Sequence, residues 1–292
     1  MVASNFVYRS FSTFVLWGIL MFGILADKTF VAAEYVLAFL ILVVGTMALR
    51  EFFVALEHKG IRSFQKQSLI GAVIFFAGTW AVLSGRVAWR MPPGFFELIS
   101  LIVFLIGILS KQVFDRKQTT PIVTMSVTVF GMLYVVWLFS FIYHLWYFQG
   151  HDGRNAFLLL YLLGVTKITD IAAYLVGYCF GKHQLIPSVS PKKTWEGFIG
   201  GLTVAVFVSY ALVWCLPDQL GTLIPLAWAP VLGLVISLVS VVGDLAESVV
   251  KRDAQIKDSG SWIPGIGGAL DLIDSVLFTA PILFVFLKLY HG

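Results

Sequence analysis

Charged residues are scarce in this sequence, and that scarcity excludes an ordinary soluble domain. Only 12% of the 292 residues are charged, whereas 59% are hydrophobic. A soluble domain carries about 25% charged residues, and no soluble core of this size could bury so much apolar surface. Because the formal net charge is only +4, we interpret the basic residues as markers of membrane topology and expect no nucleic-acid partner.

Cysteines and long polar linkers are also scarce. The two cysteines, Cys179 and Cys215, both lie in apolar runs, and we interpret them as small apolar side chains rather than a disulfide. No linker is long enough to hold a soluble domain, and the sequence shows neither a low-complexity tail nor a clear internal repeat. The polar chemistry of the chain must therefore lie on or between its apolar segments.

Long apolar runs are abundant, and they predict an all-α, polytopic integral membrane protein with about nine transmembrane helices. A helix needs about 20 apolar residues to cross a hydrocarbon core of about 30 Å. The predicted spans lie near residues 11–26, 31–53, 69–84, 94–110, 121–148, 156–180, 197–216, 223–250 and 270–290. We interpret residues 1–150 as an N-terminal membrane region of about five spans, and residues 151–292 as a membrane region of about four spans that carries the candidate functional residues.

The distribution of lysine and arginine predicts the orientation of these spans. With nine spans, fourteen of the 20 basic residues fall on one side and five on the other, and Lys167 falls within a span. Positive charge resists translocation, so the side with fourteen is cytoplasmic. The N-terminus is then inside and the C-terminus outside.

Two polar segments of the second half lie at the predicted cytoplasmic side. Asp170 lies inside an apolar run, where an ionisable residue is costly and usually functional, although Lys167, three positions away, could simply pair with it. Further along, a Ser190-Pro191 turn is predicted to lead through Lys192 and Lys193 to a helix start. These lysines could bind phosphate, with help from the N–H groups of the helix start; otherwise they only enforce topology.

The stretch from Asp244 to Asp274 is the most informative. Asp244, Glu247, Ser248 and Lys251 share one helix face at spacings of three and four residues. After a glycine-rich loop, Asp271 and Asp274 again share a face. Carboxylates grouped in this way repel one another unless a cation lies between them, and carboxylate oxygens are the ligands that Mg²⁺ prefers.

We therefore predict a Mg²⁺ site formed by Asp244, Asp271 and Asp274. Lysines and an arginine surround it in the sequence, which suits a polyphosphate. A polyphosphate site within the bilayer favours a lipid as the second substrate. The alternative, a solvated acidic helix start, does not explain why Asp244 lies at the end of the preceding helix.

At these residues the sequence resembles the phosphatidate cytidylyltransferase (CDP-diacylglycerol synthase) family. The positions in register with the C-terminal signature of that family are Ser248, Lys251, Arg252, Lys257, Asp258, Pro264, Gly267, Gly268, Asp271 and Asp274. Residues 50–52, 170–174, 180–182, 190–194 and 196–197 also look like family features. Two positions depart from the signature: Ile266 stands where the family has His, and Leu272 where it has Arg.

The resemblance implies that CTP and phosphatidic acid react to give CDP-diacylglycerol and pyrophosphate on the cytoplasmic side of the membrane. The residues expected to act in catalysis are Asp244, Ser248, Lys251, Asp271 and Asp274. Those expected to bind substrate are Asp170, Lys192, Lys193, Thr194, Glu196, Arg252, Lys257, Asp258, Gly267 and Gly268. The resemblance also implies a homodimer, and it leaves open a second, monovalent cation beside Mg²⁺.

Other functions are compatible with parts of the same pattern. Another membrane enzyme that uses CTP, such as a polyprenol or phytol kinase, would produce a phosphorylated lipid and CDP. A CDP-alcohol phosphotransferase is disfavoured, because the acidic motif of that family is absent. A secondary transporter could use Asp170 and Asp244 as ion sites, but it would predict paired repeats, whereas the polar residues here cluster on one side.

Overall fold

The architecture is almost entirely helical. A computed structural model of the chain describes residues 31–115, 120–148, 155–256, 260 and 267–292. Its elements, in chain order, are α1 (Val31–His58), α2 (Gln65–Leu83), α3 (Pro93–Phe114), α4 (Pro121–Gly131), a π-helical segment (Met132–Trp137), α5 (Leu138–Trp146), α6 (Ala156–Phe180), β1 (Gln184–Ile186), β2 (Ser190–Thr194), α7 (Trp195–Cys215), a second π-helical segment (Pro217–Gly221), α8 (Ala229–Asp253) and α9 (Ala269–His291).

The helices confirm an all-α integral membrane protein. Within the described residues, eight helical segments are long and apolar enough to cross a membrane; α4, the first π-helical segment and α5 together form one of them. The ninth predicted span, residues 11–26, lies outside the described residues, so the number nine and the orientation stay predictions. Both cysteines are free, as their apolar surroundings predicted.

Most predicted spans agree with the helices to within a few residues, but the start of the eighth is wrong. That span was predicted from residue 223, whereas α8 begins at Ala229. Pro225 cannot donate a backbone hydrogen bond, and residues 222–228 form turns instead. Pro230 follows in the first turn of α8, where a missing N–H costs nothing.

The chain divides into two compact units. The first comprises Met1–Arg154 together with Asp253–Ile273, and the second comprises Asn155–Arg252 together with Asp274–Gly292. The described part of the first unit packs α1 and α2 around the segment that runs from α4 to α5, with an aromatic core in which the rings of Phe76 and Phe139 meet edge to face at 6.2 Å. The functional division at residue 150 predicted from the sequence stays a prediction.

A closed polar cluster, called here the Glu34 cluster, joins three segments of the first unit. Arg86 donates to both carboxylate oxygens of Glu34 (2.7 and 3.0 Å), and its guanidinium lies 4.7 Å from the ring centroids of Tyr35 and Trp80. Tyr147 donates its hydroxyl to Glu34 at 2.6 Å. Burial raises the pKa of Tyr147, so the hydroxyl remains a donor. The acid is therefore fully matched by donors.

Candidate active site

A seam of glycines brings α6 and α7 of the second unit into close contact. A Cβ on Gly197 would lie 2.5 Å from the carbonyl oxygen of Ala173 and 3.1 Å from the Cα of Gly177, and a Cβ on Gly201 would lie 3.0 Å from the carbonyl oxygen of Thr169. Small residues four positions apart are a recurrent way for membrane helices to approach closely. Because the backbones meet here, the residues that flank the seam occupy well-defined positions.

A β-hairpin connects these two helices, and it corrects the predicted turn. The sequence predicts a turn at Ser190-Pro191, whereas the turn lies at residues 187–189 and Ser190 begins strand β2. Thr194 pairs with Gln184 across the hairpin and also caps α7, since its hydroxyl accepts from the backbone N–H of Gly197 at 3.2 Å. The hairpin therefore holds Lys192 and Lys193 beside the start of α7.

Glu196 has a local role in the structure. Its Oε2 accepts from the backbone N–H groups of Lys182 and His183 (3.1 and 3.3 Å). Its Oε1 lies 2.7 Å from Nδ1 of His183. These contacts fasten the segment after α6 to the first turn of α7. The contact of Glu196 with substrate expected from the sequence stays a prediction.

A cavity of about 600 Å³ opens between α6, the hairpin, α7 and α8 in the second unit. Its lining includes five residues singled out from the sequence. They are Asp170, Lys192, Lys193, Thr194 and Asp244. The structure thus brings together three polar segments that are far apart in the chain, and it gives them a space large enough for a ligand.

An acidic cluster adjoins this cavity. It consists of Asp244, Glu247 and Asp274 and is called here the Asp244 cluster. One carboxylate oxygen from each lies within 4.8 Å of the others. Glu247 and Asp274 are only 1% and 7% exposed, while the side chain of Asp244 is 30% exposed. Close approach of α8 and α9 allows this grouping, because a Cβ on Gly243 would lie 2.8 Å from the carbonyl oxygen of Asp274.

Lysines compensate part of the negative charge. Lys193 pairs with Asp244, and Lys251 Nζ lies 2.6 Å from Glu247 Oε2. Lys167 Nζ lies 4.0 Å from Asp170 Oδ2, at the limit of an ion pair, and it interacts electrostatically with Asp274. The pairing of Lys167 with Asp170, one of the two readings left open by the sequence, is therefore present, and Asp170 also lines the cavity.

The donor set of the Asp244 cluster fits a divalent metal ion. Including Asp170, which interacts electrostatically with Asp274, four carboxylates of the second unit are accompanied by the three lysines just described. Buried carboxylates that outnumber their basic partners are unfavourable without another cation. Carboxylate oxygens at this spacing can converge on one hard cation such as Mg²⁺. The buried acidic group could therefore hold a metal.

The remaining predicted residues of α8 lie beside the cluster. Ser248 follows Glu247 directly and is half-buried, and Arg252 is exposed. The Nε of Arg252 donates to the carbonyl oxygen of Val189 in the hairpin turn at 3.2 Å. The predicted face of Asp244, Glu247, Ser248 and Lys251 is thus a continuous polar stripe, and Arg252 ties the C-terminal end of α8 to the hairpin.

The described signature residues Gly267, Gly268 and Asp271 belong to the first unit, at the start of α9. Asp271 accepts from the backbone N–H of Gly268 at 2.8 Å, the contact expected of an acid in a first helical turn. Gly267 has a φ of +115°, which favours glycine. The role of Asp271 as a metal ligand stays a prediction. Lys257, Asp258, Pro264 and Ile266 lie outside the described residues.

Two buried acids have surroundings that the sequence does not predict. The sequence predicts Glu247 on the polar face but not among the metal ligands, although its spacing from Asp244 is the available signal. Glu51 of α1 was noted only as a family feature; it is 5% exposed, and its Oε2 accepts from the backbone N–H of Leu270 at 2.8 Å. An acid within an apolar run was its signal, but its partner, 219 residues away, was not predictable.

Known proteins are similar to this chain over much of its length. The profile described as "Cytidylyltransferase family" matches residues 8–290. The uncharacterized protein YnbB of Escherichia coli is 36% identical over 66% of this chain and 64% of its own length. The phosphatidate cytidylyltransferases of Chlamydia muridarum and of Synechocystis sp. are each 34% identical, over 77% and 83% of this chain and 74% and 85% of their own lengths respectively.

Proposed function

The chain belongs to the cytidylyltransferase family, and we propose that it transfers the cytidylyl group of CTP to phosphatidic acid, giving CDP-diacylglycerol and pyrophosphate for phospholipid synthesis. The observation that carries the proposal is the cavity, where two lysines and a threonine stand beside a cluster of buried acids on membrane-spanning helices. Relatives named phosphatidate cytidylyltransferase are similar to most of the chain, which favours this reaction over a lipid kinase or a transporter.

The chemistry needs alignment of two anions more than it needs a strong base. A phosphate oxygen of phosphatidic acid attacks the α-phosphorus of CTP, and the bond from that phosphorus to the pyrophosphate oxygen breaks. The attacking phosphate is already ionised near neutral pH. The protein must therefore hold both reactants in line and neutralise charge on the leaving pyrophosphate.

Cationic groups of the second unit are suited to bind the phosphates. We assign Lys192 and Lys193 of the hairpin to the triphosphate of CTP, with Thr194 as a hydroxyl donor beside them. Lys251 and Arg252 follow at the end of α8. Lys257, Asp258, Gly267 and Gly268 remain further candidates for substrate contact, as the family resemblance implies.

We assign the divalent metal to the acids. Asp244, Glu247 and Asp274 would hold Mg²⁺, Asp271 remains the further ligand implied by the family resemblance, and a second, monovalent cation stays open. When bound, Mg²⁺ would stabilise the negative charge that develops on the phosphate oxygens. Ser248, next to Glu247, is proposed to contact the metal or the nucleotide, and Asp170 to complete the acidic wall of the cavity.

The membrane setting defines the remaining parts of the proposal. We propose that the site opens to the cytoplasm, where CTP is present, and that the protein resides in the inner membrane of a bacterium as a homodimer without a nucleic-acid partner. The acyl chains of phosphatidic acid stay in the bilayer while its headgroup enters the cavity between helices.

The position of a label in CTP tests the reaction. Purified protein in detergent, with Mg²⁺ and phosphatidic acid, is expected to move label from the α-phosphate of CTP into an organic-soluble product, while label in the γ-phosphate stays in water as pyrophosphate. Transfer of the γ-label into lipid would instead identify a lipid kinase. No transfer of either label to a panel of phospholipids, with ion flux in vesicles that needs no CTP, would identify a transporter.

A further inference from the structure

A stripe of aromatic side chains on α6 contributes to the lining of the cavity. Asp170, Tyr174 and Tyr178 follow one another at intervals of four residues on α6, so they share one face of the helix. All three line the cavity. With a rise of about 1.5 Å per residue, Tyr174 and Tyr178 stand about 6 and 12 Å along the helix axis from Asp170.

The two tyrosine rings form an exposed, nearly parallel platform. Their centroids are 6.2 Å apart and their planes differ by 21°. Tyr174 is 70% exposed and Tyr178 is 80% exposed. Aromatic rings gain stability from a second flat ring laid against them in an offset arrangement. This pair therefore offers a ready surface for a planar ligand group.

The lining of the cavity is consequently of two chemical kinds. Lys193 and Asp244 form an ion pair, which suits phosphates and a metal ion. The tyrosine platform is flat and aromatic. A nucleotide also has two such parts, since a charged phosphate chain is joined through a sugar to a flat, uncharged base.

We propose that Tyr174 and Tyr178 form the subsite that holds the cytosine ring of the nucleotide by stacking. This inference rests on the proposed function, because it requires a nucleotide in the cavity. Stacking on an aromatic side chain contributes affinity without discriminating strongly among bases. The platform therefore contributes binding of the base, and the ribose and the phosphates are bound elsewhere.

A different role for these tyrosines makes a different prediction. Tyrosine is common where a membrane helix meets the headgroup layer, and there it would anchor α6 or contact the lipid substrate. In that role, removing the rings would change the KM for phosphatidic acid or the stability of the protein, and it would leave the KM for CTP unchanged.

The test replaces each ring in the full-length protein by an aliphatic side chain. Tyr178→Leu and Tyr174→Leu are each expected to raise the KM for CTP about tenfold, the size expected for loss of one stacking contact with a base. The KM for phosphatidic acid and kcat at saturating CTP should not change. Inhibition by CMP should weaken by the same factor, whereas inhibition by pyrophosphate, which has no base, should not.

Two further variants control this experiment. Tyr178→Phe keeps the ring and should return most of the lost affinity for CTP. Tyr210→Leu removes a tyrosine of α7 that is 43% exposed and does not line the cavity, so its kinetics should match those of the unaltered protein. An equal effect of Tyr210→Leu, or weaker inhibition by pyrophosphate in the Tyr178→Leu protein, would overturn the subsite.

The outcomes also separate this inference from the proposed function. If the unaltered protein transfers no α-label from CTP, the proposed function fails. If it transfers label and both leucine variants keep the original KM for CTP, the reaction stands and the tyrosine subsite is wrong. Both variants change exposed side chains, so folding is expected to persist, and elution as a single species in detergent checks it.

Discussion

The Glu34 cluster of the first unit and the Asp244 cluster of the second both place acids among apolar helices, but they balance charge in opposite ways. Glu34 is 6% exposed and receives two hydrogen bonds from one arginine and one from a tyrosine. Each of its oxygens has a donor. The Glu34 cluster is thus closed around a single acid.

The Asp244 cluster is crowded and open by comparison. Its three acids lie within 4.8 Å of one another, and Asp244 lines a cavity of about 600 Å³. Its lysines come from the hairpin and from the next turn of α8, where they could turn toward an incoming anion. One acid with matched donors holds segments of the fold together, whereas several acids beside a cavity are suited to bind a cation and a substrate.

The largest effect is expected from changing the Asp244 cluster. Asp244→Asn should lower kcat about a thousandfold, because an interaction worth several kcal/mol in the transition state is lost, while the protein stays folded. Transfer of α-label from CTP, measured with elution in detergent, checks this. The exposed Asp218 gives the matched control, Asp218→Asn. Turnover near normal in Asp244→Asn would remove this residue from the metal site.

An intermediate effect, on stability alone, is expected from opening the Glu34 cluster. Arg86→Met leaves a buried carboxylate without its cation, which should lower the melting temperature in detergent by about 5 °C or more. The kcat of the surviving protein should not change. Arg90→Met alters another exposed arginine in the segment between α2 and α3 and should have little effect on the melting temperature. A loss of kcat with an unchanged melting temperature would show that the two clusters do not differ in role.

The smallest effect is expected from an ion pair on the surface. Lys59 pairs with Asp253, but their side chains are 38% and 60% exposed. Because water screens such a pair, Lys59→Met should shift the melting temperature by less than about 2 °C, no more than Lys66→Met, which changes another exposed lysine. Thermal unfolding followed by tryptophan fluorescence measures both. A larger shift in the melting temperature of Lys59→Met would mean that the exposure of the two side chains does not determine how strongly an ion pair stabilises this protein.

The transmembrane architecture could be predicted because lipid imposes simple rules on the sequence. An apolar run such as 156–180 has to be helical to satisfy its backbone hydrogen bonds, and α6 has these bounds in the structure. Prolines set the boundaries less predictably. The segment 223–229 is apolar throughout, yet Pro225 delays the start of α8 to Ala229.

The part of the site that lies on single helices could also be predicted. Helical spacing alone placed Asp244 and Glu247 on one polar face, and the structure shows them together with Asp274. The same reasoning singled out Asp271 equally with Asp274. Asp271 makes a local bond at the start of α9 within the first unit, whereas only tertiary packing shows that Asp274 joins the acids of the second.

Contacts between segments that are distant in the chain could not be predicted from the sequence. The hairpin of residues 184–194 contains Pro191, which disfavours a strand in most positions; a two-stranded ribbon tolerates it because one edge of each strand is free. The bond from Leu270 to Glu51 joins residues 219 apart. Nothing in the local pattern of either segment specifies such a partner.

The glycine seam between α6 and α7 has a consequence for how the site responds to its lipid surroundings. Where backbones touch, as at Gly197 and Ala173, two helices cannot slide past each other without atomic overlap. A change in bilayer thickness is usually met by helix tilt. We therefore expect α6 and α7 to tilt together, so that the distance between the tyrosine platform and the hairpin stays the same when the thickness of the bilayer changes.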